Sequence, residues 1–188
     1  MQIQPKHFSL DTGLTPRAPA LVFVLLLWTA GIISCQYSLV KDKSVALPSN
    51  LQSISIPLAK NLTIEAGLED TFTQELIKRL TADGRIKILE AGRAEAELRC
   101  TIQDISTQAV SYSREGRVAA ENIGIEAECM IVVPESESVV WRTGLLAAAE
   151  EYPVGDNYLL NEDLKARAII EVCKDLSESI RSLLIDSF

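Results

Sequence analysis

The strongest constraint on the fold is a long stretch of strict alternation at residues 121–133. Apolar side chains occupy every second position there, namely Ile123, Ile125, Ala127, Cys129, Ile131 and Val133. Successive side chains of a strand point to opposite faces of a sheet, so this stretch predicts a long strand with one buried face. Strands of this kind are typical of antiparallel sheets, which tolerate one face open to water.

Two segments show the periodicity of amphipathic helices instead. Residues 65–82 repeat an apolar side chain every four residues, with Thr63 as the expected N-cap and Asp83-Gly84 as the stop. A second helix is expected from an N-cap at Asn161 to about Ile185. The two apolar stripes are Leu68, Phe72, Leu76 and Leu80 in the first helix, and Leu164, Ala168, Val172, Leu176, Ile180 and Leu183 in the second.

The remaining pattern predicts further strands and the turns between them. Strands are expected at residues 52–58, 86–88, 97–103 and 138–148, turns at 114–117 and 134–137, and a loop at 149–160. Pro57 cannot donate to a ladder, which indicates an edge strand or a strand end. Residues 51–188 therefore predict a single α+β domain. It is a two-layer sandwich with two amphipathic helices on one face of a mainly antiparallel (mixed) sheet of four to five strands.

The first 34 residues predict a secretory signal peptide. A polar start with Lys6 and Arg17 precedes a 14-residue apolar run at 20–33, and Ser34-Cys35 follows. An uncleaved membrane helix over 18–40 is the alternative, but the apolar core is too short to span a bilayer. Ile32-Ile33-Ser34-Cys35 resembles the bacterial lipobox, which implies cleavage before Cys35 and its acylation.

The residues after the predicted cleavage site suggest where the mature chain resides. Residues 35–50 read as a lipidated N-terminus and a tether without periodicity. The residue after Cys35 is Gln36 rather than Asp, which by the usual sorting rule for such lipoproteins implies the outer membrane. Two or more acyl chains hold a protein firmly in a bilayer.

Charge and histidine content exclude several function classes. Without residues 1–34, which contain Lys6, Arg17 and Asp11, the chain has 16 basic and 25 acidic residues and a net charge of −9. That balance argues against binding to nucleic acid, whose phosphates are recognised by Lys and Arg. The only histidine is His7, in the predicted leader. Imidazole-dependent catalysis and histidine-ligated metal sites are therefore excluded for the mature chain, and we expect no cofactor.

Three cysteines remain in the predicted domain: Cys100, Cys129 and Cys173. They lie within apolar stretches, which indicates that they are small residues buried in the core. A disulfide between Cys100 and Cys129 stays open as an alternative, since the periplasm is oxidising and the two strands would have to be neighbours.

Short motifs along most of the chain resemble one known family. They are Gln36-Tyr37-Ser38-Leu39 after Cys35, Leu47-Pro48, Ile56-Pro57-Leu58-Ala59-Lys60-Asn61-Leu62-Thr63, Glu65-Ala66-Gly67-Leu68-Glu69, Asp83-Gly84-Arg85 and Ala94-Glu95-Ala96. In order and spacing they are similar to the LptE family of lipopolysaccharide-assembly lipoproteins, with Gln36 where that family usually has Gly.

The resemblance implies a role in the outer membrane. It implies a non-catalytic lipoprotein on the periplasmic face that plugs the LptD β-barrel, assists its assembly and helps to pass lipopolysaccharide to the outer leaflet. The alternative is an accessory adaptor lipoprotein of another cell-envelope machine.

Lys87, Arg99 and Arg142 are the candidate ligand-binding residues. They share a parity opposite to the predicted core, so neighbouring strands would place three cations on the open sheet face. Such a face suits the phosphates of lipopolysaccharide. A solvated charged face is the competing and favoured interpretation, because Glu126 and Glu128 have the same parity.

Two further patterns have ordinary explanations. Glu150, Glu151 and Asp156 resemble a hydrolytic carboxylate set, but a solvated acidic loop is the favoured interpretation. Asn61-Leu62-Thr63 is formally a glycosylation sequon, but a turn in which Thr63 caps the helix is expected.

Overall fold

The computed structural model of the chain describes residues 51–186. The predicted leader 1–34, Cys35 and the tether at 35–50 lie outside the described residues. The two helices are α1 (Leu68–Asp83) and α2 (Tyr158–Ile185). The strands are β1 (Ser53–Ser55), β2 (Lys60–Asn61), β3 (Lys87–Ile88), β4 (Ala96–Tyr112), β5 (Val118–Val133), β6 (Ser138–Arg142) and β7 (Leu146–Pro153).

The strands form one mixed sheet. Its main path is β3-β1-β4-β5-β6, with β2 also pairing with β4 and β7 also pairing with β5. The pairs among β1, β2, β3 and β4 are parallel, and those of β5 with β4, β6 and β7 are antiparallel. The α+β class and the mixed sheet are confirmed. The described chain has seven strands rather than four to five, because β2 and residues 146–153 also join the ladder.

The long β4–β5 hairpin is the central element of the sheet. Its register joins Leu98 to Ile131, Cys100 to Cys129 and Ile105 to Ile125 across the two strands. The expected turn at 114–117 closes it, and Ser113 N–H donates to the Arg117 carbonyl at 2.7 Å. The alternating apolar residues of β5 and of the first half of β4 point to one face, where they are almost fully buried.

The two helices cover that face and run parallel to each other. An ion pair joins Lys165 Nζ of α2 to Glu65 Oε2, just before α1, at 2.7 Å. Another joins Arg181 Nη1 near the end of α2 to Asp83 Oδ2 at the end of α1, at 2.9 Å. Because both starts meet and both ends meet, the helices point the same way. Their buried stripes complete the core: Leu68, Phe72, Leu76 and Leu80 of α1, and Ala168, Val172, Leu176, Ile180 and Leu184 of α2.

The start of α1 differs from the prediction. The helix begins at Leu68, and its N-cap is Gly67, whose φ of 82° lies in the left-handed region that glycine adopts readily. Thr63 does not cap the helix. Its hydroxyl instead accepts from the Glu65 N–H at 3.2 Å, within the turn after β2. The Asn61 side chain fastens this turn to α1 by donating to Glu69 Oε2 at 2.7 Å.

The segment before α2 also differs from the expected loop. Residues 149–153 continue β7, which pairs with the first half of β5. In β7, three alanines are followed by two glutamates, so apolar and polar residues do not alternate and the sequence does not predict a strand. The helix then begins at Tyr158, and Asn157 rather than Asn161 is its N-cap, accepting from Leu160 N–H at 3.3 Å.

The expected strand at 138–148 is divided in two. β6 ends at Arg142 and β7 begins at Leu146, with Gly144 at a φ of 71° between them. Trp141 is buried, whereas Leu145 lies in the break and is 59% exposed. A left-handed glycine between two apolar stretches is the local signal of such a break.

Cys100 and Cys129 form a disulfide across the β4–β5 pair. They are direct partners in the register, and their Cα atoms lie 4.1 Å apart. The alternative left open by the sequence is therefore realised for these two cysteines. Cys173 is a free and buried thiol, as expected of a core cysteine.

Neither described helix could cross a membrane. In residues 51–186, no helix is both long enough and apolar enough for that.

Candidate functional site

The face of the sheet opposite the two helices carries all three candidate cations. We call it the outer face. It consists of the side chains of β1, β3, β4, β5 and β6 that alternate with the core residues. Lys87, Arg99 and Arg142 all have this parity in the observed register, and Lys87 and Arg142 are exposed.

Arg99 and Arg142 lie in one row across the sheet. Met130 of β5 is the direct partner of Arg99 on β4 and of Arg142 on β6. Two strand spacings separate the two arginine backbones, which is about 10 Å. The apolar side chain of Met130 therefore lies between the two arginines. Their separation suits a ligand that carries more than one phosphate, or a phosphate with an attached acyl chain.

Arg99 is held by two carboxylates. Its guanidinium contacts Glu97 Oε2 at 2.9 Å and Glu137 Oε2 at 3.0 Å. Hydrogen bonds donated by Arg99 lower the pKa of Glu137, and the bonds to Glu137 and Glu97 raise the pKa of Arg99. Glu137 reaches this position from the β5–β6 turn, where it adopts a φ of 50°. The charge of Arg99 is therefore largely compensated within the protein.

Arg142 and Lys87 are different in this respect. Within residues 51–186, neither forms an ion pair with a carboxylate. No carboxylate of the described residues compensates these two exposed charges, which are therefore the candidates for contact with an external anion.

Lys87 is not adjacent to the two arginines. It pairs with Ser53 on β1, which lies two residues before the partner of Glu97. Lys87 is thus two strands and four residues away from Arg99, a separation of about 16 Å between backbones. The structure brings Arg99 and Arg142 together and leaves Lys87 at the far edge of the outer face.

Acidic residues also occupy the outer face. Glu126 faces Asp104, and Glu128 accepts from Gln103 Nε2 at 2.9 Å. On the central strands, the favourable region for an anion is therefore the row of Arg99, Met130 and Arg142, near the end of the sheet where β5 turns into β6. The acidic residues Asp104, Glu126 and Glu128 would repel a phosphate from the neighbouring part of β4 and β5.

The acidic residues near α2 do not form a catalytic pair. Glu150 and Glu151 are neighbours on β7, so their side chains point to opposite faces of the sheet. Asp156 lies in the following loop and pairs with Arg117 of the β4–β5 hairpin at 2.5 Å. The three carboxylates therefore do not converge on a common point.

Comparison with known proteins identifies the family. The family model for LptE, described as lipopolysaccharide-assembly, matches residues 51–184. This chain belongs to the LptE family. No curated protein matches it by sequence.

Solved structures with the fold of this LptE-family domain are distant in sequence. Rare lipoprotein B from Shewanella oneidensis is 14% identical with a TM-score of 0.51, covering 70% of this chain and 93% of that protein. A minor lipoprotein from Acinetobacter baumannii is 12% identical with a TM-score of 0.50, covering 73% and 92%. At such identities the similarity shows that the fold is shared.

Two partners of the candidate site were not predicted from the sequence. Glu97 precedes Arg99 by two residues, so its equal parity on one strand was a usable signal for an ion pair. Glu137 carried no such signal, because only the left-handed turn brings its carboxylate over Arg99.

Proposed function

We propose that this chain is a non-catalytic outer-membrane lipoprotein that plugs the LptD β-barrel, assists its assembly and takes part in delivering lipopolysaccharide to the outer leaflet. The observation that carries the proposal is the LptE family match, which spans nearly the whole described domain. The solvated, non-convergent carboxylates and the absence of histidine after residue 7 are consistent with a role in binding rather than turnover.

Anchoring through Cys35 is part of the proposal. The apolar run at 20–33 and the sequence Ile32-Ile33-Ser34-Cys35 support cleavage before Cys35 and acylation of its thiol. The tether of about 15 residues that follows would hold the folded domain at the periplasmic side of the outer membrane.

The proposed contact with lipopolysaccharide is the row of Arg99, Met130 and Arg142, with Lys87 at the edge of the same face. Arg142 supplies a guanidinium that pairs with no carboxylate among residues 51–186, and a guanidinium suits the bidentate geometry of a phosphate. Glu97 and Glu137 hold the Arg99 guanidinium in one orientation, and their negative charges reduce its attraction for a phosphate. We therefore expect Arg142 to contribute more to phosphate binding than Arg99.

Co-purification tests the partner. The tagged full-length chain is extracted with detergent from outer membranes, and the proteins that remain bound are identified by mass spectrometry. We expect a large β-barrel of the LptD type in stoichiometric amount, and loss of its mature form when this chain is depleted. A different stable partner would favour the adaptor alternative and refute the proposal.

The ligand site is tested by charge reversal. Arg142→Glu, alone and with Arg99→Glu or Lys87→Glu, is compared with Lys78→Glu and Arg167→Glu, which reverse exposed cations on the helices. We expect weaker binding of purified lipopolysaccharide for the outer-face variants only, with unchanged circular dichroism. Equal binding by all variants would refute lipopolysaccharide binding at the outer face. It would not affect the proposal that the chain plugs a β-barrel.

The anchor is tested by intact-mass measurement. We expect a chain that begins at Cys35 and carries acyl chains, and a Cys35→Ser variant that keeps its leader. A wild-type chain with an intact leader would contradict this part of the proposal.

A further inference from the structure

Both hydrogen-bonding edges of the Arg99 guanidinium are occupied by carboxylates of the protein itself. Glu97 Oε2 accepts from Nε at 2.9 Å and lies 2.9 Å from Nη2, so Glu97 takes the side edge. Glu137 binds the end edge with both of its oxygens, since Nη1 donates to Oε2 at 3.0 Å and Nη2 donates to Oε1 at 3.4 Å. A guanidinium binds a phosphate in the same two-point geometry. An external phosphate therefore gains a two-point contact with Arg99 only after one carboxylate leaves.

The two carboxylates differ in how firmly they are held. Glu97 lies on β4, two residues before Arg99, and its side chain is 21% exposed. Glu137 is the last residue of the β5–β6 turn, and its side chain is 68% exposed. Exposed ion pairs gain little over the hydrated groups, so water can readily solvate the Glu137 carboxylate when it leaves Arg99. Glu137 is therefore the carboxylate that a ligand can displace.

The β5–β6 turn holds Glu137 in the place that a phosphate would take. Its φ of 50° lies in the left-handed region, which is uncommon for a residue with a Cβ atom. Glu97 pairs with Val132, just before the turn, so the Glu137 side chain reaches back over β4 to meet Arg99. Glu97 already orients Arg99 through two nitrogens, and the contact with Glu137 adds a second anion at the edge that remains.

We propose that Glu137 is a displaceable counter-ion of Arg99, which a phosphate of the bound ligand replaces on the end edge of the guanidinium. The inference rests on the proposed ligand site and adds an order of events to it. One phosphate first contacts Arg142, which pairs with no carboxylate among residues 51–186, and a second phosphate then replaces Glu137. A phosphate monoester carries about −1.5 to −2 charges at pH 7, so it attracts the guanidinium more strongly than a carboxylate does.

The exchange limits the affinity of the outer face for its ligand. Each phosphate that binds Arg99 replaces an existing contact within the protein, so it is held less tightly than at an unpaired guanidinium. The return of Glu137 to Arg99 in turn assists release. A protein that passes a ligand onward needs binding that is strong enough for capture and weak enough for release.

Affinity for purified lipopolysaccharide tests the exchange on the lipidated full-length chain in detergent. Glu137→Gln keeps the size of the side chain and removes its charge. From the strength of an exposed ion pair, we expect this variant to bind about two- to fivefold more tightly than the wild type. Glu135→Gln is the matched control and should bind like the wild type. It removes one negative charge from the same turn, and Glu135 forms no ion pair within residues 51–186.

Two further measurements separate the exchange from a general gain in positive charge. In an Arg99→Gln background, adding Glu137→Gln should leave the affinity unchanged, because no guanidinium remains to be released. Lipopolysaccharide from which the phosphates have been removed should bind the wild type and Glu137→Gln equally. An increase in affinity in either measurement would overturn the proposed exchange.

The outcomes distinguish the exchange from the ligand site on which it rests. Wild-type affinity in Glu137→Gln, or an equal gain in Glu135→Gln, refutes the exchange, while weaker binding by Arg142→Glu still supports the ligand site. Unchanged binding by both Arg142→Glu and Arg99→Glu refutes the ligand site and the exchange with it. Neither result depends on the identity of the partner found by co-purification.

Discussion

Removing the disulfide between Cys100 and Cys129 is the perturbation whose effect the structure defines best. The bond joins residues 29 apart in sequence, across the centre of the β4–β5 hairpin. In the native state both cysteines are almost fully buried, so their removal affects the core as well as the unfolded chain. The unfolded chain gains freedom when the loop between them is opened.

The size of this effect follows from the loop length. The chain-entropy relation applied to a loop of 29 residues gives about 12 cal/mol/K, or about 3.6 kcal/mol at 25 °C. For a domain of this size, each kcal/mol changes the melting temperature by about 2–4 °C. We therefore expect the reduced chain to melt about 7–14 °C lower than the oxidised chain.

The assay is urea and thermal unfolding followed by circular dichroism, with and without reductant. The Cys100→Ala/Cys129→Ala variant should be destabilised to a similar degree and should no longer respond to reductant. Cys173→Ala is the control and should keep the full response. A difference between the oxidised and reduced wild type below about 1 kcal/mol would refute the loop-closure reasoning. Two free thiols found at Cys100 and Cys129 by mass spectrometry in the exported protein would refute the bond itself.

Three further outcomes follow from other parts of the domain. Gly84→Ala should cost about 1 kcal/mol in urea unfolding, because the C-cap of α1 has a φ of 72°, whereas Gly155→Ala, also in open space, should be nearly neutral. Phe72→Ala should cost about 3–5 kcal/mol in the same assay, since the ring is fully buried between α1 and the sheet; a loss under about 1 kcal/mol would contradict that packing. Burial, and to a lesser degree the Glu75 carboxylate, raises the pKa of the Cys173 thiol to about 12. The unfolded thiol loses its proton near its ordinary pKa of 9.0, so stability should fall between about pH 9 and 12. Cys173→Ala should show a shallower fall of the urea midpoint over this range, and parallel profiles of the two proteins would contradict the shift.

Most of the local architecture was determined by the sequence alone. The alternation from Ile123 to Ile131 identified the buried face of β5, and the four-residue repeat from Leu68 to Leu80 identified the buried stripe of α1. The turns at 114–117 and 134–137 also lie where the sequence predicted them. These features depend on which side of an element is apolar, and that information is contained in neighbouring residues.

The ends of the helices were less well determined. Thr63 and Asn161 have the chemistry of N-caps, but Gly67 and Asn157 occupy those positions. Several suitable residues lie close together before each helix, and packing of the helix on the sheet decides which of them becomes the first.

Tertiary structure alone decided which elements meet. The sequence could not show that Cys100 faces Cys129, that Arg99 and Arg142 flank Met130, or that Lys87 lies two strands away. Pairing depends on register between segments distant in the chain, and a single bulge such as that at Gln103 changes the phase of everything after it. The periodicity of a segment shows which of its faces is buried, whereas the packing of the whole sheet determines which residue pairs with each of its side chains.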